Sequence, residues 1–231
     1  LEKLRSTYLE PLPRLTGPDG RIRTTFNQLA TATGRLSSSN PNLQNIPVRG
    51  DLGRRMRACF TASPGRVLVS ADYSQVELRV LAHCSQDPTL LAAFRGGEDI
   101  HTRTAALLND VGPAAVTPDQ RRGAKTINFG LIYGMGARKL AQELGIGLAE
   151  AKAFMERYFA RFSHIKEFYD EVETRAREQG YVTTLAGRRR PLPDMLSQSA
   201  QSRALAERQA VNTLIQGSAA DIIKSAMLAV H

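Results

Sequence analysis

The sequence predicts an α+β fold, a mainly helical chain carrying a few short strands. Three observations carry this. Apolar residues recur at helical spacing through Ala151, Met155, Tyr158, Phe159, Phe162, Ile165, Tyr169 and Val172. Two helix starts are written locally, at Asp87-Pro88 and at Thr117-Pro-Asp-Gln. Short β-type runs lie before them, Arg-Ile-Arg-Thr-Thr from Arg21 and Val-Leu-Val-Ser-Ala from Val67.

Taken in order, residues 1–25 carry Pro11, Pro13 and the turn Gly17-Pro-Asp-Gly20, which reads as a helix tail, a turn and a strand or hairpin. Residues 33–50 are polar, Asn-rich and without period, and so form a loop. Leu43, Ile46 and Val48 would tether it, which favours an ordered binding loop over a disordered one. Residues 67–71 read as a buried strand with Asp72 at its end. A helix then starts near Ser74, with Val76, Leu78, Leu81 and Ala82 inward. Thr117 caps the next marked helix, with Pro118 at its first position and Gln120 completing a capping box, and it runs to about Tyr133. A long helix from Leu148 to about Glu178 is expected to bend or break near Ser163. Arg188-Arg-Arg-Pro-Leu-Pro reads as a basic loop, and a last helix starts near Ser202. It reaches His231 with no Gly, Asn or Pro to stop it, and residue 1 is Leu, so a piece of a longer chain is expected.

Composition narrows the classes. With 42% hydrophobic and 23% charged residues the chain is neither disordered nor collagen-like. A chain of this size buries roughly 70% of its unfolded surface, so it needs no staples. Cys59 and Cys84 are too few for a disulfide framework or a cysteine zinc site, which suits a reducing, cytoplasmic setting. No run of 18 apolar residues occurs, no secretory signal opens the chain, and no membrane partner is expected. The net charge is +9, and 25 of the 31 basic residues are Arg. Residues 1–66 hold 11 basic and 4 acidic residues, residues 67–100 hold 2 and 5, residues 101–161 hold 9 and 5, and residues 162–231 hold 9 and 8. An acidic island between basic segments suits a polyanion-binding protein with a local cation site.

Three groups of residues point to chemistry. Asp72, at a strand end before a helix, suits a Mg²⁺ ligand, although Asp is equally a good helix cap. Arg121, Lys125, Phe129 and Tyr133 are four apart and share one helix stripe, with two cations near the helix start, where backbone N–H groups are free, and then two aromatics. Arg122 adds charge beside them. That order fits a nucleoside triphosphate lying along a helix. Asn128, Gly130 and Gly134 break the apolar stripe that a merely buried aromatic face would need. Arg208, Asn212 and Gln216 repeat the spacing with donors able to read phosphates and base edges, or form a solvated stripe.

These segments resemble a known family. Asp72-Tyr-Ser-Gln-Val-Glu-Leu-Arg79 is similar to motif A of family A DNA polymerases, the bacterial DNA polymerase I type. Arg121-Arg-Gly-Ala-Lys-Thr-Ile-Asn-Phe-Gly-Leu-Ile-Tyr-Gly134 resembles motif B, and Thr33-Gly-Arg-Leu-Ser-Ser with Pro41-Asn-Leu-Gln-Asn-Ile-Pro47 resembles the primer-template loop. The likeness runs through essentially the whole chain. It departs at Val76, where Ile is common, and at Gly123, where Ala is common.

The resemblance implies a right-hand polymerase fold, with a palm of antiparallel sheet and packed helices, a mainly helical fingers subdomain and a largely absent thumb. It assigns residues 1–15 to the end of the thumb, 16–100 to the first part of the palm, 101–195 to the fingers and 196–231 to a returning palm segment. The third motif, a His-Asp-Glu, is not found, so the isolated chain is expected to bind DNA without extending it.

The implied reaction is template-directed nucleotidyl transfer from a dNTP to a primer 3′-OH by two Mg²⁺ ions. Asp72 and the Tyr73 carbonyl would hold metal, and Lys125 would protonate the leaving pyrophosphate. Gln75, Glu77, His101, Arg121, Lys125, Phe129 and Tyr133 would bind the dNTP, with Glu77 blocking a ribose 2′-OH. Arg35, Asn42, Gln44, Asn45, Arg208, Asn212 and Gln216 would bind primer-template DNA. Arg188 to Arg190 are either DNA-backbone contacts or surface charge. A monomer in the bacterial cytoplasm, associated with the nucleoid, is implied. Two other readings are a non-catalytic DNA-binding fragment and a relative of single-subunit RNA polymerases.

Overall fold

The computed structural model describes residues 2–47 and 50–230. The chain divides into two units, Leu1–Ser74 and Gln75–His231.

The first unit opens with α1 (Glu2–Leu4), a π-helical turn and α2 (Pro11–Arg14), in which Pro11 fills the first position, where a missing N–H costs nothing. The Gly17–Gly20 turn is closed by the Gly20 N–H on the Gly17 carbonyl at 2.9 Å. The expected strand lies slightly later than the alternation suggested. It is β1 (Thr25–Asn27), antiparallel to β2 (Ser37–Ser39), with Phe26 opposite Ser38. An unanticipated helix, α3 (Gly50–Ala58), follows.

Tyr8, Leu12 and Met56 form a small core, against which Leu43, Ile46 and Phe60 pack. The Asn-rich segment is therefore ordered, as its tethers Leu43 and Ile46 implied. Val48, the third tether, lies outside the described residues. Internal hydrogen bonds hold the rest: the Asn42 Oδ1 accepts from the Ser38 hydroxyl at 3.2 Å and from the Gln44 N–H at 3.0 Å.

The expected buried strand at 67–71 is not formed. Val67 and Val69 are 81% and 86% exposed, and the run has no strand geometry. A β-branched run becomes a strand only when a neighbour accepts its backbone hydrogen bonds. Among the described residues none pairs with it.

In the second unit, α4 (Val76–Ser85) starts two residues later than expected, after Gln75 in the left-handed region at φ 55°. Asp72 therefore does not cap it. Leu78, Leu81 and Ala82 are buried as predicted, with Val80 in addition, while Val76 is only partly buried. The helix α5 (Pro88–Arg95) is capped by the Asp87 carboxylate, which accepts from the Thr89 and Leu90 N–H groups. The next, α6 (Ile100–Asn109), is capped in the same way by Asp99. In α7 (Pro118–Ile132) the predicted capping box is complete, with Gln120 N–H to Thr117 Oγ1 at 3.2 Å and Thr117 N–H to Gln120 Oε1 at 2.9 Å.

After α8 (Ala137–Leu144), the long amphipathic stretch is broken into α9 (Leu148–Arg161) and α10 (Ser163–Gln179) at Phe162, whose φ and ψ of −119° and 60° are not helical. The hairpin β3 (Tyr181–Thr183) and β4 (Arg189–Pro191) follows, then α11 (Ala200–Val230). The basic segment at 188–190, expected as loop, is thus largely a strand. The Thr184–Gly187 turn, with Gly187 at φ +84°, brings it back onto Tyr181–Thr183.

Leu78, Leu81, Ile100, Ile132, Tyr158, Phe162 and Ile215 are fully buried in one core that joins α4, α6, α7, α9 and α11. Each such side chain contributes about 1.5–3 kcal/mol of burial. This core fixes the inner side of α7 and leaves its outer stripe free for other work.

Gly123 sits inside α7 with open space around it: a Cβ there would meet only Leu144 Cδ2, at 3.8 Å. Gly123→Ala should therefore stabilise the protein by about 1 kcal/mol, the helix-propensity difference. A rise in melting temperature of about 2–4 °C in calorimetry checks this. A fall would mean that the space behind α7 is not available.

Candidate active site

The α7 stripe grades from wet to dry along the helix. Arg121 and Lys125, near its N-terminus, are exposed, while Phe129 and Tyr133 are half-buried. The Arg121 guanidinium pairs with the Asp99 carboxylate at 2.6 Å. Both partners are about 40% exposed, so the pair is worth at most about 1 kcal/mol and can open toward a stronger anion. Burial acts to raise the Asp99 carboxyl, but hydrogen bonds from Arg121 and the Thr102 N–H outweigh it and hold it below the usual carboxylate range.

His101 lies beneath this pair. It is 3% exposed, with its ring 5.5 Å from Phe129. The Asn128 amide lies 3.1 Å from its Nδ1 and donates to Thr104 Oγ1 at 3.1 Å. Desolvation, with Arg121 and Lys125 nearby, pushes the His101 pKa down against the pull of Asp99. The neutral ring accepts from Asn128 at Nδ1, which leaves its proton on Nε2. Asn128 explains one break in the apolar stripe: it is a buried residue that orients His101.

Tyr133 donates its hydroxyl to the Glu77 carboxylate, which joins α7 to α4. Gly134, at φ +68°, would place a Cβ 2.6 Å from Arg208 Cγ, so only glycine lets α11 approach the end of α7 so closely. An open cleft of about 580 Å³ lies there, lined by Phe129, Tyr133, Gly134, Lys139 and Arg208 among others. On α11 the exposed Arg208 is followed at four-residue steps by the partly buried Asn212 and Gln216. The Asn212 Oδ1 is buried with no hydrogen-bond donor among the described residues.

The structure thus brings Glu77, His101, Arg121, Phe129, Tyr133 and Arg208 around α7. Gln75 caps α4 through its backbone in a left-handed conformation, which costs a non-glycine residue about 1 kcal/mol.

In the first unit, Asp72 and Tyr73 are exposed. Arg35 is exposed, and its backbone carbonyl accepts from the Thr31 hydroxyl at 2.6 Å. Asn42 spends its Oδ1 on the loop itself. The Gln44 amide donates to the Leu36 carbonyl at 3.2 Å, and the Asn45 carbonyl accepts from the Tyr8 hydroxyl. Asp99 and Asn128 were not identified from the sequence as partners of Arg121 and His101. Glu98-Asp99-Ile100 carries a helix-start signal, whereas nothing local marks the pairing of Asn128 with a residue 27 positions away.

Among the described residues no three Asp, Glu, His or Cys side chains gather to hold a metal ion. The exposed Asp72 carboxylate, which makes no ion pair among them, fits a single hard-oxygen ligand. Mg²⁺ accepts that arrangement when phosphates and water complete its shell.

A family model described as DNA polymerase family A matches residues 1–231. The chain belongs to that family. A thermostable DNA polymerase I of Thermus filiformis is 56% identical over 229 residues, 99% of this chain and 28% of the relative. A DNA polymerase I of Chloroflexus aurantiacus is 54% identical over 232 residues, 100% of this chain and 24% of the relative. The chain therefore spans under a third of the length of these family A relatives. The POL domain of Pol1 from M. smegmatis, solved in complex with DNA primer-template and dNTP, matches with a TM-score of 0.92 at 48% identity, covering 98% of this chain and 40% of that one. The family A fold is accordingly that of the chain, α+β with small antiparallel sheets.

Proposed function

We propose that the chain carries the nucleotide- and template-handling face of a DNA-directed DNA polymerase, a nucleotidyltransferase that moves a dNMP from dNTP to a primer 3′-OH. The single observation that carries this is the graded stripe of α7. Two exposed cations stand in the first half of the helix and two half-buried aromatics follow at four-residue steps. A triphosphate suits the first half, where the guanidinium and ammonium donors stand beside the positive end of the helix dipole. A base and sugar suit the second.

In this reading Arg121 leaves Asp99 to grip phosphate oxygens, and Lys125 binds them and gives a proton to the departing pyrophosphate. The neutral His101 offers its Nε2–H. Phe129 stacks on the nucleotide and Tyr133 stands by the template base. Gln75 lies at the nucleotide through its strained backbone. Asp72 and the Tyr73 carbonyl would hold Mg²⁺, which when bound lowers the barrier by neutralising phosphate charge and activating the primer oxygen. Arg35 and Gln216 test the terminal pair through minor-groove acceptors that all correct pairs share. Asn42, Gln44, Asn45, Arg208 and Asn212 hold the strands. Residues 16–100 and 196–231 are assigned to the palm, 101–195 to the fingers and 1–15 to the thumb. A monomer in the bacterial cytoplasm, acting at the nucleoid, completes the reading.

Primer extension by the full-length protein tests this. Mg²⁺-dependent addition of only the dNTP complementary to the template is expected. Absence of extension, or addition indifferent to the template, would refute it. A relative of RNA polymerases would prefer rNTP in the same assay.

The hydrogen bond from Tyr133 fixes the Glu77 carboxylate beside the aromatic end of the stripe. Glu77→Ala should therefore raise rNTP incorporation relative to dNTP by about tenfold or more, a change of at least about 1.4 kcal/mol in discrimination. Unaltered selectivity would show that Glu77 only anchors Tyr133.

A further inference from the structure

The three arginines at 188–190 all have partners within the second unit. The Arg189 guanidinium lies over the Tyr181 ring, 4.8 Å from its centroid. Arg190 Nη1 donates to Thr213 Oγ1 at 2.7 Å. Arg188 Nε donates to Asp221 Oδ1 at 3.0 Å, and its Nη2 donates to the Gly217 carbonyl at 3.2 Å. The other Asp221 oxygen accepts from the Thr184 hydroxyl at 2.7 Å, and that hydroxyl in turn accepts from the Arg188 N–H at 3.1 Å. The Leu185 N–H adds a bond to Ser218 Oγ at 2.9 Å. The Asp221 side chain is only 15% exposed, so this is a shielded ion pair with both carboxylate oxygens satisfied.

The places where these bonds land on α11 form a pattern. Thr213, Gly217 and Asp221 are four residues apart and form one stripe. Asn212 and Gln216 each precede one of them, on a stripe turned by about 100°. Beyond Ile215 packing keys the helix weakly, because Gly217, Ser218, Ala219 and Ala220 have almost no side chain to interlock with a neighbour. Packing of small residues leaves rotation about the helix axis loosely determined, whereas a shielded ion pair and directed hydrogen bonds determine it.

We propose that Arg188 and Asp221 are positioning residues that fix the rotation of α11, and with it the aim of Asn212 and Gln216, by tying the Thr213–Gly217–Asp221 stripe to the β3–β4 hairpin. The inference rests on the reading that Gln216 tests the terminal base pair. Loss of the tie lets the probe side chain drift, so a mismatched primer end is no longer penalised as strongly as before.

The test is single-turnover extension from matched and mismatched primer ends by the full-length protein, comparing wild type, Gln216→Ala, Arg188→Met and the double variant. Arg188→Met should lower the ratio of matched to mismatched rates by about tenfold, as expected for a displaced contact group, with the KM for dNTP unchanged. In the Gln216→Ala background it should change the ratio no further. If Arg188→Met does not fold, Asp221→Asn and Thr184→Val take its place and should lower the ratio in the same direction. Equal loss of both rates, or additive effects in the double variant, would overturn the proposal. A lowered ratio in Gln216→Ala with an unchanged one in the Arg188, Asp221 and Thr184 variants overturns the positioning role of Arg188 and Asp221 alone. An unchanged ratio in Gln216→Ala refutes the base-pair reading itself.

Discussion

Asp72→Ala in the full-length protein should abolish extension, by at least about 10³-fold, while primer-template affinity stays near wild type. A bound metal ion stabilises the developing charge by several kcal/mol, and each 1.4 kcal/mol lost is tenfold in rate. Asp72 is an exposed carboxylate of the first unit that makes no ion pair among the described residues, and it is the proposed ligand for such an ion. DNA affinity, by contrast, is expected to come from phosphate neutralisation by the basic residues, 11 of which lie in residues 1–66. Removing one negative charge should not weaken it, and the slope of log affinity against log salt should be unaltered. Single-turnover rates and filter binding at several salt concentrations separate the two quantities. Retained extension would remove Asp72 from the chemistry, and parallel loss of DNA binding would make its role structural.

Lys125→Ala is expected to have the second largest effect, roughly 10²–10⁴-fold in the rate of the chemical step, the range for loss of a placed proton donor. Arg121→Ala should cost less in this step and show mainly as weaker dNTP binding. The reason lies in the geometry. Arg121 already has a partner in Asp99, so its transfer to phosphate exchanges one ion pair for another, whereas Lys125 makes no such ion pair among the described residues. Rapid-quench measurement of the maximal rate and of the apparent dNTP affinity for each variant checks the order. Equal effects on the rate would mean that the two cations act as one undifferentiated patch.

The parts of this chain written in local chemistry were legible in the sequence. The Asp87 cap, the Thr117–Gln120 capping box and the four-residue stripe of α7 depend on neighbours within one or two turns, and all three stand as read. The break at Phe162 falls within a residue of the expected Ser163. What depended on distant partners was not legible. The run at 67–71 has strand composition but no pairing neighbour among the described residues, so its side chains lie exposed. The basic segment at 188–190 looked like solvent-facing loop because Asp221 and Thr213, which partner Arg188 and Arg190, lie 33 and 23 residues further on. The helix α3 was missed because Gly50 and Gly53 at its start weaken its pattern. The same limit applies to Asn128, whose amide serves His101 across two helices.

In the proposed reading α7 carries the incoming nucleotide, phosphates first and base last. The most direct test is photo-crosslinking of a base-azido dNTP to the full-length protein with primer-template present, followed by peptide mapping. Cleavage after Lys125 and Arg138 releases Thr126–Arg138, which contains Phe129 and Tyr133. The adduct should fall on that peptide and disappear when the unmodified, template-complementary dNTP is added in excess. An adduct confined to other peptides, or one that the correct dNTP does not compete away, would rule out α7 as the nucleotide-binding helix.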